Sequence, residues 1–251
     1  RVVTEGGEFI DGQETGTDGV LSYIRSGRRA HSESPSVAGY EAFFAEQLTR
    51  AQCVIHLTMS GKVSKGYENA LEASESFDNV QVIDTGHLSS GMGFIVLRAA
   101  ECAAGGMSQE SVIEKIQRMR SLVRTSFIVD DTEYLLRAGR ISPRINTICK
   151  AFMVHPVLVL KKGKMMVGAI KIGTQKAVWK KYIESALGNA GRIDKRLLFI
   201  THAGLSHEEL QEIERIVRKK VSFDRVIYQK ASSAISINCG TGAFGLLFML
   251  R

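Results

Sequence analysis

Two short apolar runs, each ending in a hydroxyl-bearing residue and each followed by a helical pattern, constrain this chain most. The first, Cys53–Thr58 (CVIHLT), leads into the polar stretch Thr58–Tyr67 (TMSGKVSKGY) and then into a helix-like run, Tyr67–Ser76. The second, Val80–Thr85 (VQVIDT), leads through GHLSSGMG into an apolar helix expected from Ser89 to Ala104, which Gly105-Gly106 stops. With a further run at SFIVDD, this is βαβα with short connections, which predicts a parallel sheet flanked by helices. Ligands of such sheets lie outside the carboxyl ends of the strands, where the first helical N–H groups lack an internal partner and attract anions. Ser60 and Ser64 add hydroxyl donors to the first loop. The same residues also describe an ordinary polar loop with a serine cap.

The flanking segments read as follows. Arg1–Asp11 alternates weakly and ends in Asp-Gly, a strand followed by a turn, and Asp18–Ser26 carries Val20, Leu21 and Ile24 on one helical side. Ser36 is a suitable N-cap for a helix with the stripe Tyr40, Phe43, Phe44 and Leu48. Gln109–Val123 is amphipathic, with Val112, Ile116, Met119 and Val123 on one face. From about Asp130 the pattern turns to α+β. It has a helix ending near Phe152 and a hairpin around Lys162-Gly163. Helix Lys176–Ala186 precedes strand RLLFITHAG, and Ser206 with Glu209 makes a capping box for a helix to Lys220. Two domains are expected, 1–129 and 130–251.

Composition excludes several classes. The chain has 251 residues and no apolar run of membrane-spanning length. Its four cysteines, Cys53, Cys102, Cys149 and Cys239, are far apart, so neither a zinc site nor a disulfide framework is indicated and a reducing, cytoplasmic setting is expected. The formal charge of +7 comes from scattered basic residues rather than a dense run with aromatics, so nucleic acid is not an expected partner. Ser60, Ser64, Asp84, His87 and His202 could in principle form a hydrolytic set, but no GxSxG elbow fixes them. His56, His155 and His207 lack metal-ligand spacing, and a GxxxxGK[ST] loop is missing.

Several motifs follow one another in an order that resembles the DegV family of bacterial fatty-acid-binding proteins. Where the family has a TSQPS-like motif, this chain has Ser32-Glu33-Ser34-Pro35-Ser36, and the family's ISSxLSGTY stands as Met59–Tyr67. The strand V-x-V-I-D-S with S-x-G-x-G matches Val80–Thr85 and Ser90–Gly93, LxxGGRIS matches Leu136–Ser142, and HTGPGALG matches Asn238–Gly245. The resemblance implies a two-domain α/β (EDD) fold, a parallel sheet flanked by helices plus a smaller α+β domain. It implies a fatty acid buried between strands and helices, its head group near the domain junction. The protein would be a non-enzymatic carrier that holds the acyl chain while a fatty-acid kinase phosphorylates the carboxyl. The ligand-binding residues this transfers are Ser32, Ser60, Gly61, Ser64, Gly66, Asn238, Gly240, Thr241 and Gly242, with no cofactor and no metal.

The chain also departs from the family. The family's opening strand and DST motif are absent and the chain has no initial Met, so a longer protein, with a further domain, is expected. The basic residue after the hairpin aligns with Gly173, with Lys171 two residues earlier, and the family His is Asn238. Both changes remove positive charge, so an ester, amide or alcohol head becomes compatible, and a ligand-sensing regulatory domain is the alternative to a carrier. Ile55, Leu57, Phe94, Phe127, Phe152, Phe244 and Leu247 are expected either to line the tail or to pack the core, and Gly91, Gly93, Gly240, Gly242 and Gly245 either to allow close backbone approach or to serve tight turns and helix packing. Arg140 is expected in an ion pair or in kinase docking.

Overall fold

The structure is a computed structural model and describes residues 1–251 apart from Glu14, Thr15, Ala138 and Arg140. The roles expected of Arg140 lie outside the described residues. The chain forms two compact units. One contains Arg1–Glu33, Arg124–Val159 and Met166–Arg251; the other contains Ser34–Val123 and Leu160–Met165. These units are interleaved, whereas the sequence reading cut the chain once, after residue 129.

In chain order, β1 (Val2–Thr4), β2 (Gly7–Phe9) and β3 (Ala30–Ser32) make a small antiparallel sheet, with α1 (Thr17–Arg25) between the last two. Val2 and Val20 pack with Ile237, and Leu21 and Ile24 with Tyr134 and Ala203, which is why the first 33 residues belong with the C-terminal half. The second unit begins with α2 (Val37–Leu48), capped by Ser36, whose Oγ accepts from the Gly39 N–H. Strand β4 (Val54–Thr58), α3 (Gly66–Ser74), β5 (Val80–Asp84), α4 (Ser89–Ala104) and α5 (Gln109–Met119) follow. β4 and β5 pair in parallel from Val54↔Val80 to Thr58↔Asp84. Phe44, Ala70, Ala73 and Val80 form the core between these strands and helices.

Strand β6 (Val123–Ile128) was expected to continue that parallel sheet. It instead joins a six-stranded mixed sheet with β7 (Val154–Lys161), β8 (Lys164–Ile172), β9 (Ile193–His202), β10 (Arg225–Lys230) and β11 (Phe244–Leu250), in the order β10-β9-β11-β6-β7-β8. β6 runs antiparallel to β7, and β9 parallel to β10. A buried strand reads the same in either sheet, so its pattern does not name its partner. The partner is chosen by packing: a Cβ on Gly245 of β11 would lie 2.3 Å from Cδ1 of Phe127. The unit carrying this sheet is the larger of the two, where the sequence reading expected the smaller.

Helices α6 (Glu133–Arg137), α7 (Pro143–Ala151), α8 (Gln175–Ala186), α9 (His207–Lys220) and α10 (Ser233–Cys239) complete the fold. The capping box of Ser206 and Glu209 forms with both bonds, and Lys162 (φ 51°) and Gly163 (φ 79°) make the two-residue turn of β7 and β8. Tyr182 is fully enclosed; its hydroxyl donates to the Ser126 carbonyl (2.8 Å) and accepts the Leu246 N–H (3.0 Å), tying β6 to β11. Burial holds that phenol above its ordinary pKa range.

Gly240 follows α10 at φ 72°, and a Cβ there would sit 2.0 Å from the Tyr134 ring. Gly240→Ala should therefore destabilise the protein by about 2–4 kcal/mol, combining overpacking with a left-handed backbone that alanine resists. A urea midpoint shift of that size checks it.

Candidate functional site

The loop between β4 and α3 is built around Ser60. It is fully buried; its N–H donates to the His87 carbonyl (2.8 Å), and its hydroxyl donates to the Gly163 carbonyl (2.7 Å). Its own carbonyl accepts the N–H groups of Val63 (2.9 Å) and Ser64 (3.1 Å), which closes the loop into a turn. Ser60 thus anchors the β7–β8 tip and the loop after β5, and its hydroxyl is not turned to a ligand. Gly61 is set by packing: a Cβ there would lie 2.9 Å from the Tyr67 ring.

Ser64 does face a polar group. Its Oγ lies 2.7 Å from Ser34 Oγ and accepts the Gly66 N–H (3.1 Å) at the start of α3. The Tyr40 hydroxyl lies 3.1 Å from where a Cβ on Gly66 would stand, and burial raises the Tyr40 pKa, so the phenol stays protonated as a donor. The cap residue of α3, Lys65, supplies no side-chain bond to the helix. Ser34, Ser64, Gly66 and Tyr40 therefore converge at a helix start. Sequence reading missed Ser34 because it followed the motif letter and chose Ser32, which is exposed on β3 in the other unit. The available signal was the hydroxyl beside Pro35, which holds Ser34 extended.

Below this cluster, the His56 ring is surrounded by Tyr40, Phe43 and Phe44 at centroid distances of 5.2–5.8 Å. Burial lowers the His56 pKa. Phe43, expected in the core stripe, is instead 42% exposed. Thr85 and Asp84 are occupied locally: Thr85 Oγ1 donates to the Thr58 carbonyl (2.7 Å), and Asp84 accepts the Gly86 N–H (2.6 Å). His87 Nε2 bonds the Arg120 carbonyl (2.9 Å), while the Ser60 hydroxyl is spent on Gly163 and the Ser64 hydroxyl is paired with that of Ser34.

In the larger unit, Thr241 and Gly242 line a cavity of about 340 Å³ with Arg25, Asp130, Tyr134 and Glu209. Arg25 Nε donates to Thr241 Oγ1 (3.0 Å). Asp130 Oδ2 accepts from Gln175 (3.2 Å) and Oδ1 stands 3.5 Å from His155; burial nevertheless raises the Asp130 pKa. Asn238 donates one amide N–H to the Ala234 carbonyl of its own helix (2.8 Å). Gly173 borders a second cavity, of about 280 Å³, with Asp130 and His155. Lys181 Nζ, which bonds the Ile172 carbonyl (2.9 Å), is a cation beside Gly173, and Lys150 lines the same cavity. Of the apolar candidates, Phe244 and Leu247 are core residues, Phe127 and Phe94 are buried, Ile55 and Leu57 are half-buried, and Phe152 is 65% exposed.

Among the described residues no group of three or more His, Cys, Asp or Glu could hold a metal ion, and no helix is long and apolar enough to cross a membrane. The site is thus a hydroxyl cluster at a helix start on an α/β scaffold, with apolar strands in the same unit. The family model described as "Uncharacterised protein, DegV family" matches residues 1–251. A DegV domain-containing protein of Caldanaerobacter subterraneus subsp. tengcongensis is 27% identical over 248 residues, covering 97% of this chain and 87% of that protein. A DegV family protein of Thermus thermophilus, whose structure was described for fatty acid binding, superposes with a TM-score of 0.87 at 25% identity, covering 100% of this chain and 90% of that one. The DegV family protein of Eubacterium eligens, loaded with heptadecanoic acid, has the same fold (TM-score 0.84, 16% identity, covering 100% and 91%). The chain belongs to the DegV family.

Two outcomes follow from this geometry. Ser60→Ala leaves the buried Gly163 carbonyl without its hydroxyl donor and should cost about 1–3 kcal/mol, with faster amide exchange confined first to residues 160–165. His56 binds a proton less readily folded than unfolded, where its pKa is about 6.5. The unfolded chain therefore takes up more protons as pH drops, and stability should fall from pH about 7 to 5. His56→Leu should flatten that slope in urea titrations, with His202, also lowered by burial, retaining part of it.

Proposed function

We propose that this protein binds a long-chain fatty acid or closely related acyl lipid and is itself not an enzyme, the head group held at the Ser64 loop. The observation that carries this is the Ser34–Ser64 hydroxyl pair at the start of α3, in a chain matched to the DegV family from end to end. Two hydroxyls share one hydrogen between them, and the Gly66 N–H fills another acceptor position on Ser64. One hydroxyl hydrogen is left to donate outward, so the pair suits an acceptor such as a carboxylate or an ester carbonyl. Free N–H groups in the first turn of α3 add to it. Glycine at 66 keeps the approach open.

The tail supplies most of the affinity, about 0.8 kcal/mol per buried CH₂ before ordering costs. The head contributes orientation, since a buried carboxylate must be hydrogen-bonded. We assign presentation of the head to a partner kinase as the use of this binding. A second reading, a ligand-sensing domain without acyl phosphorylation, is favoured by one observation: Gly173 and Asn238 bring no charge of their own, and Asn238 spends an amide N–H within α10.

Denaturing the purified protein, extracting it and weighing the lipid by mass spectrometry should return free fatty acid near one equivalent. Ser64→Ala should weaken fatty acid binding about tenfold to a hundredfold, the worth of one hydrogen bond to a charged group, read by displacement of a fluorescent fatty acid. Extraction that yields no lipid from folded protein, together with no binding of added fatty acid, would overturn the reading.

A further inference from the structure

Five lysines gather in one unit beside the Ser64 loop: Lys62 and Lys65 on the loop itself, and Lys161, Lys162 and Lys164 at the β7–β8 tip. All five are exposed. The two segments are held together by the Ser60 Oγ to Gly163 carbonyl bond (2.7 Å) and by Lys62 Nζ donating to the Lys162 carbonyl (3.0 Å). The patch is therefore fixed by the fold rather than made of independent side chains. Among the described residues none of the five makes an ion pair; the lysine ion pairs there are Lys150–Glu133 and Lys230–Asp18. Of the carboxylates near in sequence, Glu68 is exposed in the first turn of α3 and Asp84 is turned to the Gly86 N–H.

Uncompensated like charges held at one place repel one another, and a partner of opposite sign relieves that cost. Sites selective for phosphate favour arginine forks or converging buried N–H groups; here the Arg120 guanidinium, beside Gly86, is half-buried and spends its Nε on the Thr85 carbonyl (3.1 Å), and the five lysines stand in solvent. A bilayer surface calls for large apolar side chains among the charges. The residues between these lysines, Gly61, Val63, Ser64 and Gly163, are buried or half-buried. Met166 and Val167 follow on β8 and are exposed, so vesicles enter the test as a rival.

We infer that this lysine patch is the docking surface for an acidic face of a partner protein. Taken with the proposed head-group role of Ser64, on which only this consequence rests, the partner would meet the head group as it docks.

The test titrates the full chain with a fluorescein-labelled decapeptide of glutamate, at low salt and again at about 0.15 M, where the screening length is about 8 Å. The variant Lys161→Gln/Lys162→Gln/Lys164→Gln should bind the peptide about tenfold more weakly than the parent. The control Lys176→Gln/Lys180→Gln/Lys219→Gln removes the same charge from exposed positions on α8 and α9 and should bind as the parent does. Equal loss in both variants would mean that net charge alone attracts the peptide and would overturn the proposal. So would binding to phosphatidylglycerol vesicles that the tip variant loses while its peptide binding stays intact. Displacement of a fluorescent fatty acid, measured in the same samples, should be unaltered by the tip changes. If no sample binds fatty acid, the head-group reading fails while the peptide result still decides the docking surface.

Discussion

The hydroxyl of Ser60 is the interaction on which the smaller unit depends. Buried at the end of β4, it has no water to turn to, and the carbonyl it meets belongs to a turn 103 residues later in the chain. A buried hydroxyl without a partner would be costly, as would a buried carbonyl, so one bond answers both needs. Its backbone reaches the other way: the N–H holds the loop after β5 through His87, and the carbonyl closes the turn that sets Ser64 in place. The Ser60 hydroxyl is spent within the fold, and the turn that its carbonyl closes sets Ser64 against Ser34.

The larger unit adds close backbone approach to the Tyr182 hydroxyl bonds that tie β6 to β11. Gly240 and Gly245 stand where any side chain would collide with Tyr134 and Phe127, so the aromatic rings lie directly on backbone. This contact fixes β11 beside β6 and sets Thr241 and Gly242 at the rim of a cavity that also holds Asp130 and Glu209. The result is a marked division of charge. That cavity carries carboxylates, one of them held above its ordinary pKa by burial, while the hairpin tip of the other unit carries lysines in solvent. An anionic head is accommodated more readily by hydroxyl and N–H donors like those at Ser64 than by the acid-lined cavity.

Features set by neighbours along the chain were legible from the sequence. Ser36 and Ser206 cap their helices because the bonded N–H groups lie three residues on, and Lys162-Gly163 turns because only those two residues must reach positive φ. The helix from Ser89 to Ala104 follows from its apolar pattern and its terminal glycines. What was hidden depended on remote partners. Ser32 and Ser34 offer the same chemistry two residues apart, but only Ser34 meets Ser64. The six residues of β6 suit either sheet, and the ring of Phe127 against Gly245 decides between them.

The sequence by itself determined the order of most strands and helices between Ser36 and Lys230, their caps and turns, and, through its ordered motifs, the family. Tertiary structure decided that the first 33 residues join the C-terminal half, that a hairpin tip joins the other unit, and which serine is buried and which presented. The reason is one of range. A cap or a turn is settled by groups a few residues apart, whereas burial and close packing depend on which distant surface arrives, and no local pattern of apolar and polar residues specifies that surface.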